Sequence, residues 1–196
     1  MTLYFVKIKS EGVFLINFLG DDSMTAQGPD TYLYEGNKYS LIAMSKKPRF
    51  NPLKYGIDPQ YTCTACWAGY AVDYNIVDSK LFLQRLWISK SGSGYPDVNG
   101  VKVKELEKPG IFGYVYEDVN LLVKYTGKIV IGNSFIDEYY KHMGLQRAWA
   151  YKKVLELIFE KGRLVEVIDH SETVQKIREE MESEKNPYEY LEHWWI

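Results

Sequence analysis

The chain has little of what most catalytic and exported proteins are built around. Two cysteines in 196 residues are too few for a disulfide framework. They fall at Cys63-Thr64-Ala65-Cys66, a spacing at which two thiolates could share a zinc ion, yet zinc needs four ligands and no second CxxC exists. The three histidines, His142, His170 and His193, are scattered without metal-ligand spacing. A redox CxxC should open a helix, whose N-terminus lowers the thiol pKa; here Trp67-Ala68-Gly69-Tyr70 leads into a strand. Buried structural cysteines, no metal and no cofactor are therefore the expectation. An apolar run of about 18 residues, needed to span a bilayer, is also missing. The opening Met1-Thr2-Leu3-Tyr4-Phe5-Val6-Lys7 lacks a basic leader region and reads as a first strand, which points to the cytoplasm. Net charge is −2 with pI near 6.0, so the cationic excess that neutralises phosphates is missing and nucleic acid is not an expected partner. Lys46, Lys47, Arg49 and Lys54 cluster locally, as in a solvated loop.

What the chain does have is aromatic content: 17 Tyr, 8 Phe and 5 Trp. Tyr suits half-buried sheet positions because its ring packs while its hydroxyl finds water or a polar partner. Five segments read as paired strands around a tight turn: Leu3–Phe18, Thr31–Ala43, Gly69–Ile88, Leu122–Ile131 and Val154–Ile168. In the third, Tyr70, Val72, Tyr74 and Ile76 alternate with Ala71, Asp73 and Asn75, a period of two with one polar face. In the fifth, Leu155, Leu157 and Phe159 alternate with Glu156 and Glu160, and Lys161-Gly162 makes the turn.

Two helices are expected beside these strands. Ser134 followed by Asp137 is a capping signature, with Phe135, Ile136, Tyr139 and Tyr140 on one face and Gly144 as terminator. A second helix starts near Asp169 and carries Val174, Ile177 and Met181 on one face. Two long loops remain, Ser45–Thr62 and Ser89–Gly113, the latter with a short strand expected around Val101. Ten short strands from neighbouring hairpins favour a mainly β protein with two helices, an α+β chain. Its antiparallel, hairpin-built and strongly bent sheet would form a barrel or a sandwich. Residues 1–196 then form a single domain, with residues 172–196 a C-terminal helix and aromatic tail docking on it or on a partner.

No catalytic grammar lies between the hairpins. Asp169-His170-Ser171 imitates a triad only in order, because neighbouring residues point in different directions and triads are assembled from distant positions. His142, beside Met143-Gly144, suits a helix C-terminus, where a protonated imidazole favours the exposed carbonyls. Asp21-Asp22 and Glu117-Asp118 read as solvated loop acids. Ser91-Gly92-Ser93-Gly94 lacks the Lys-Ser/Thr ending of a phosphate loop. An enzyme, the least favoured class, would draw on Tyr74, Asp73, His142 and Glu156, and nothing in the sequence brings these together.

Binding surfaces are the better expectation. Aromatic residues anchor interfaces and stack on flat ligands, which selects Trp67, Tyr70, Tyr74, Trp87 and Trp149, together with His142. Trp194 and Trp195 belong to a tail that places six large apolar or aromatic residues in the last nine positions. Thr64–Tyr70, Tyr125–Ile129, His142–Gly144 and Glu156–Glu160 together resemble a group of uncharacterised bacterial proteins of unknown function, over about residues 30–171. That resemblance implies a bacterial, cytosolic origin and carries no catalytic residues. The resulting expectation is a bacterial protein-protein inhibitor, such as an immunity or anti-defence protein, with a protein partner or self-association. The alternative is a β-barrel that binds a small, aromatic, nucleotide-like molecule.

Overall fold

The structure, a computed structural model, describes residues 28, 30–46, 50–61, 63, 65–89, 94–142 and 144–183. The first expected hairpin, Leu3–Phe18, and the tail with Trp194 and Trp195 lie outside the described residues. The protein is mainly β, with one ten-stranded sheet.

Three of the expected hairpins form as read. Strands β1 (Thr31–Tyr34) and β2 (Asn37–Met44), then β3 (Tyr70–Val77) and β4 (Lys80–Ser89), pair antiparallel. So do β9 (Tyr151–Glu160) and β10 (Arg163–Asp169). Each turn has two central residues, Glu35-Gly36, Asp78-Ser79 and Lys161-Gly162, and all six have positive φ. That backbone twist matches the right-handed twist of the flanking strands.

Between them come β5 (Lys104–Glu105), β6 (Phe112–Tyr116), β7 (Leu121–Leu122) and β8 (Gly127–Phe135). The expected hairpin over Leu122–Ile131 does not exist. β7 pairs with β4, whereas β8 lies between β2 and β9. The chain crosses from one to the other because Tyr125 turns inward, 2% exposed, and donates its hydroxyl to Lys128 O at 2.9 Å. The sheet is also not wholly antiparallel, since β1 and β3 run parallel with Thr31 opposite Asp73. The long connection from β2 returns on the far side of β1 and so enters β3 in the direction of β1.

One helix, α1 (Ser171–Ser183), occurs among the described residues instead of two. The segment read as the other helix is consumed by the sheet: Phe135 pairs with Tyr151 at the end of β8, leaving only a 3-10 turn at Asp137–Tyr139. His142 is therefore an exposed loop residue rather than a helix cap. Gln146 holds that loop through a pair of hydrogen bonds with the Lys141 backbone, at 2.8 and 2.7 Å.

The strand order β10-β9-β8-β2-β1-β3-β4 closes on itself where Arg163 of β10 meets Lys80 of β4. Closure is uneven because the second edge of β4 is shared in turn by β10 at Lys80, β7 at Phe82 and Leu83, and β6 from Leu86 to Ser89. Inside the ring, Leu81, Leu83, Leu86 and Ile88 of β4 meet Ile129, Ile131, Leu157 and Phe159, all fully buried. The two long loops add Phe50, Ile57 and Val98 to the same core. A second core lies outside the ring, where Val174 and Ile177 of α1 cover Ile42, Val130, Trp149 and Val154, with Met181 at its margin.

Two buried hydroxyls, on Tyr32 and Ser89, are left over among the described residues. Tyr32 is fully buried, stacks on Tyr74 at 5.0 Å between ring centroids, and its hydroxyl has no hydrogen-bond partner among the described residues. Burial, with Asp30 nearby, pushes its pKa well up. An unsatisfied buried hydroxyl costs about 1–3 kcal/mol, and removing it should return part of that. Tyr32→Phe is expected to leave stability unchanged or raise it by about 1 kcal/mol in urea unfolding. A loss of comparable size would mean that the hydroxyl is hydrogen-bonded in solution.

Candidate functional site

The residues selected from the sequence are dispersed by the fold. Tyr74 faces the ring interior and is 3% exposed, and Trp149 is 3% exposed beneath α1, so both pack in cores. Tyr70 opens β3, half-buried, with Phe50 edge-on at 6.4 Å. Trp87 is half-buried on the outer side of β4, donating its indole N–H to Asp73 Oδ2 at 3.1 Å beside Phe112. His142 stands apart in the exposed loop after β8, against Tyr140. Of the enzyme candidates, Asp73 and Tyr74 point to opposite faces of β3, and Glu156 is held by other partners described below.

Among the selected tryptophans in the described residues, Trp67 meets solvent most and has an aromatic companion. It is 42% exposed and Tyr61 is 57% exposed, their rings edge to face at 5.8 Å. The loop that presents them is tightly built. Cys66 N–H donates to Cys63 O at 3.0 Å, and Gly69 N–H donates to Cys66 O at 3.3 Å. Gly69 has φ +69° and sits so close to Gln60 that a Cβ would lie 2.3 Å from the Gln60 carbonyl oxygen. Both ends of the loop are thus pinned, and Ser89 N–H donates to Gly69 O at 2.8 Å, tying it to β4. Cys66 donates its thiol to Tyr70 O at 3.5 Å, and burial pushes that thiol pKa up, which disfavours a reactive thiolate. Among the described residues no group of three His, Cys, Asp or Glu side chains could hold a metal ion.

A second cluster went unnoticed in the sequence. Glu156 of β9 is 3% exposed and lies outside the ring, where the start of α1 covers it. Its carboxylate meets His170 Nε2 at 2.8 Å and Lys128 Nζ at 3.2 Å. Lys128 is close enough for charge pairing, although its ammonium is poorly aligned for a hydrogen bond to Oε1. Alternation with Leu155 and Leu157 placed Glu156 on a polar face; nothing in that pattern says that a helix will cover it.

The adjoining Asp169-His170-Ser171 is a helix entry, as the sequence suggests, and not a triad. Asp169 Oδ1 accepts both the backbone N–H and the hydroxyl of Ser171, and Ser171 Oγ accepts Val154 N–H at 3.1 Å. His170 turns to Glu156 instead of Ser171. Lys153 and Ser171 hold the Asp169 carboxyl down at about 2. A depressed folded pKa contributes stability that is present above the unfolded value of about 3.9 and is lost as pH falls through the folded value. Because Asp169 is half exposed, screening reduces the effect to below about 1 kcal/mol. Asp169→Asn should cost that much near pH 7 and only a small part of it at pH 2, where the folded carboxyl is itself titrating, read by urea midpoints across pH. A loss that is the same at both pH values would assign it to packing.

The fold is thus that of a mainly β protein with a ring-closed, uneven sheet, whose outer surface carries an aromatic loop and a buried charged joint. No protein-family model, curated protein or solved structure matches the chain. No helix among the described residues is long and apolar enough to cross a membrane.

Proposed function

We propose that the chain is a binding protein that acts by engaging another protein, of the class to which bacterial immunity and anti-defence inhibitors belong. The observation that carries this reading is the Tyr61–Trp67 pair, exposed on a loop whose backbone is fixed at both ends. A rigid aromatic pair loses little conformational entropy on binding and supplies the anchors around which protein interfaces are organised. Leu53, 62% exposed in the same β2–β3 connection, extends the apolar character of this region.

The alternative, a barrel around a small aromatic molecule, finds less support. A ligand-binding barrel needs a cavity of about 300 Å³ or more, and here Tyr32, Tyr74, Tyr125, Phe159 and the loop residues Phe50 and Ile57 pack into one core within the ring. The expected stacking residue Tyr74 is spent on Tyr32.

The test uses the full chain against purified bacterial toxins and defence effectors, reading binding by interferometry and neutralisation of each effector's activity. One effector should be bound and neutralised at micromolar concentration or below. Trp67→Ala should weaken that complex about 30-fold, the loss of an anchor worth about 2 kcal/mol. Absence of neutralisation across the panel would count against the reading, and an unaltered affinity for Trp67→Ala would detach the loop from it.

A further inference from the structure

Among the described residues, the strand that closes the ring has no neighbour along most of one edge. Past Arg163, β10 runs beyond the turn that joins β3 to β4, and Leu164 N–H reaches its last partner on that side, Ser79 O, at 2.7 Å. From Val165 to Asp169 the described residues place β9 alone beside it. In an antiparallel ladder alternate residues turn their backbone groups to the neighbour. His170 N–H donates to Val154 O, so Ile168 and Glu166 face β9 in turn, and Val167 and Asp169 present N–H and C=O to the open side.

Natural sheets protect such edges with proline, lysine, short length or a covering segment. This one reads Val165-Glu166-Val167-Ile168-Asp169, β-branched and free of Pro and Lys. Val165 is 50% exposed and Val167 39%. Val167 belongs to the ring-facing side, opposite Leu157, so its exposure marks where the wall of the ring is missing. Charge is uneven as well. Asp169 is paired with Lys153, while Glu166 is exposed and belongs to none of the ion pairs among the described residues.

We infer that the edge of β10 left open among the described residues accepts an extended segment of a partner protein as an added strand, with an apolar residue beside Val167 and a lysine or arginine beside Glu166. This rests on the protein-binding reading above and names the surface and the partner's chemistry. Main-chain hydrogen bonds to Val167 and Asp169 supply affinity, and the alternating side chains supply selection. A second copy fits less well, because antiparallel self-pairing about Val167 sets two Glu166 carboxylates on one face of a two-stranded ladder with no cation between them.

The test uses the full chain and a capped synthetic peptide of about seven residues that alternates valine with lysine and threonine. Residue-resolved hydrogen exchange should show the Val167 and Asp169 amides slowed at least about tenfold by the peptide, with β9 unaffected. Glu166→Lys should weaken peptide binding about tenfold, because it removes an exposed charge contact and sets a like charge beside the peptide's lysine. Val167→Pro should abolish binding while leaving the melting temperature in place, since it removes an outward N–H that serves no bond to β9.

Three exchange results would overturn the inference. No slowing at millimolar peptide is one. Another is protection of Val167 and Asp169 already present in the free monomer, which would show the edge covered by the chain's own remaining residues. The third is protection that grows with protein concentration alongside a dimer in sedimentation. An effector that is neutralised equally well by Val167→Pro would sink the edge and spare the proposed function; a peptide that binds while no effector does would do the reverse.

Discussion

Replacing Gly162 by valine is expected to lower stability by at least about 3 kcal/mol, and the melting temperature by about 6–12 °C for a chain of this length. The residue sits at φ +87°, where a β-branched side chain alone costs about 1–2 kcal/mol. The larger part comes from its surroundings. A Cβ would lie 2.5 Å from Val123 O and 3.2 Å from Lys124 Cα, both backbone atoms that cannot rotate away. The closure is made right beside them, since Gly162 N–H donates to Tyr125 O at 2.6 Å and Gly162 O accepts Leu81 N–H at 3.0 Å. Valine therefore strains the turn and pushes the tip of the β9–β10 hairpin off β4. Thermal unfolding followed by circular dichroism measures it, and an unchanged midpoint would mean that this hairpin does not close the ring.

Gly69→Ala should be comparably damaging although it adds only one methyl group. Its Cβ would sit 2.3, 2.7 and 3.0 Å from the O, C and N of Gln60, at φ +69°. Gly36→Ala is the matched control, with a similar φ of +74° and nothing within 4 Å of the added carbon. Strain alone should cost the control about 1–2 kcal/mol, and any excess at Gly69 measures the contact with Gln60. We expect that excess to exceed about 2 kcal/mol, because a backbone clash can be relieved only by moving the loop. The intrinsic fluorescence of Trp67 should change with it. Equal losses at the two glycines would show that the loop yields freely and does not hold Tyr61 and Trp67 rigidly.

Three hairpins were legible because they depend on local signals, a two-residue turn between runs of period two. What could not be read was long-range. Leu122–Ile131 has strand, turn and strand in order, yet its halves bond to β4 and to β2 and β9, partners that only the closed ring supplies. Ser134 looks like a helix cap, but pairing of Phe135 with Tyr151 extends β8 through it. β6 was hidden in a loop by its Gly113 and its short length, and it is fixed by four pairs with β4.

The site divides in the same way. Trp67, between a CxxC and a glycine, was legible as a loop residue, and the structure adds Tyr61 to it. Tyr74 and Trp149 were not separable from it, because an aromatic ring reads alike whether it meets a ligand or the core. The burial of Glu156 and the β10 edge could not be read from the sequence: a covering helix buries the first, and the second arises where a neighbouring hairpin ends.

The most direct test of the account is residue-resolved amide exchange on the free full chain. Closure at the hairpin tips predicts slow exchange through β8 and β9 and at Leu81 and Leu164, with Val167 and Asp169 exchanging near the unprotected rate. Val167 and Asp169 amides as slow as those of β9 would contradict it, because the ring would then have no open edge to offer a partner.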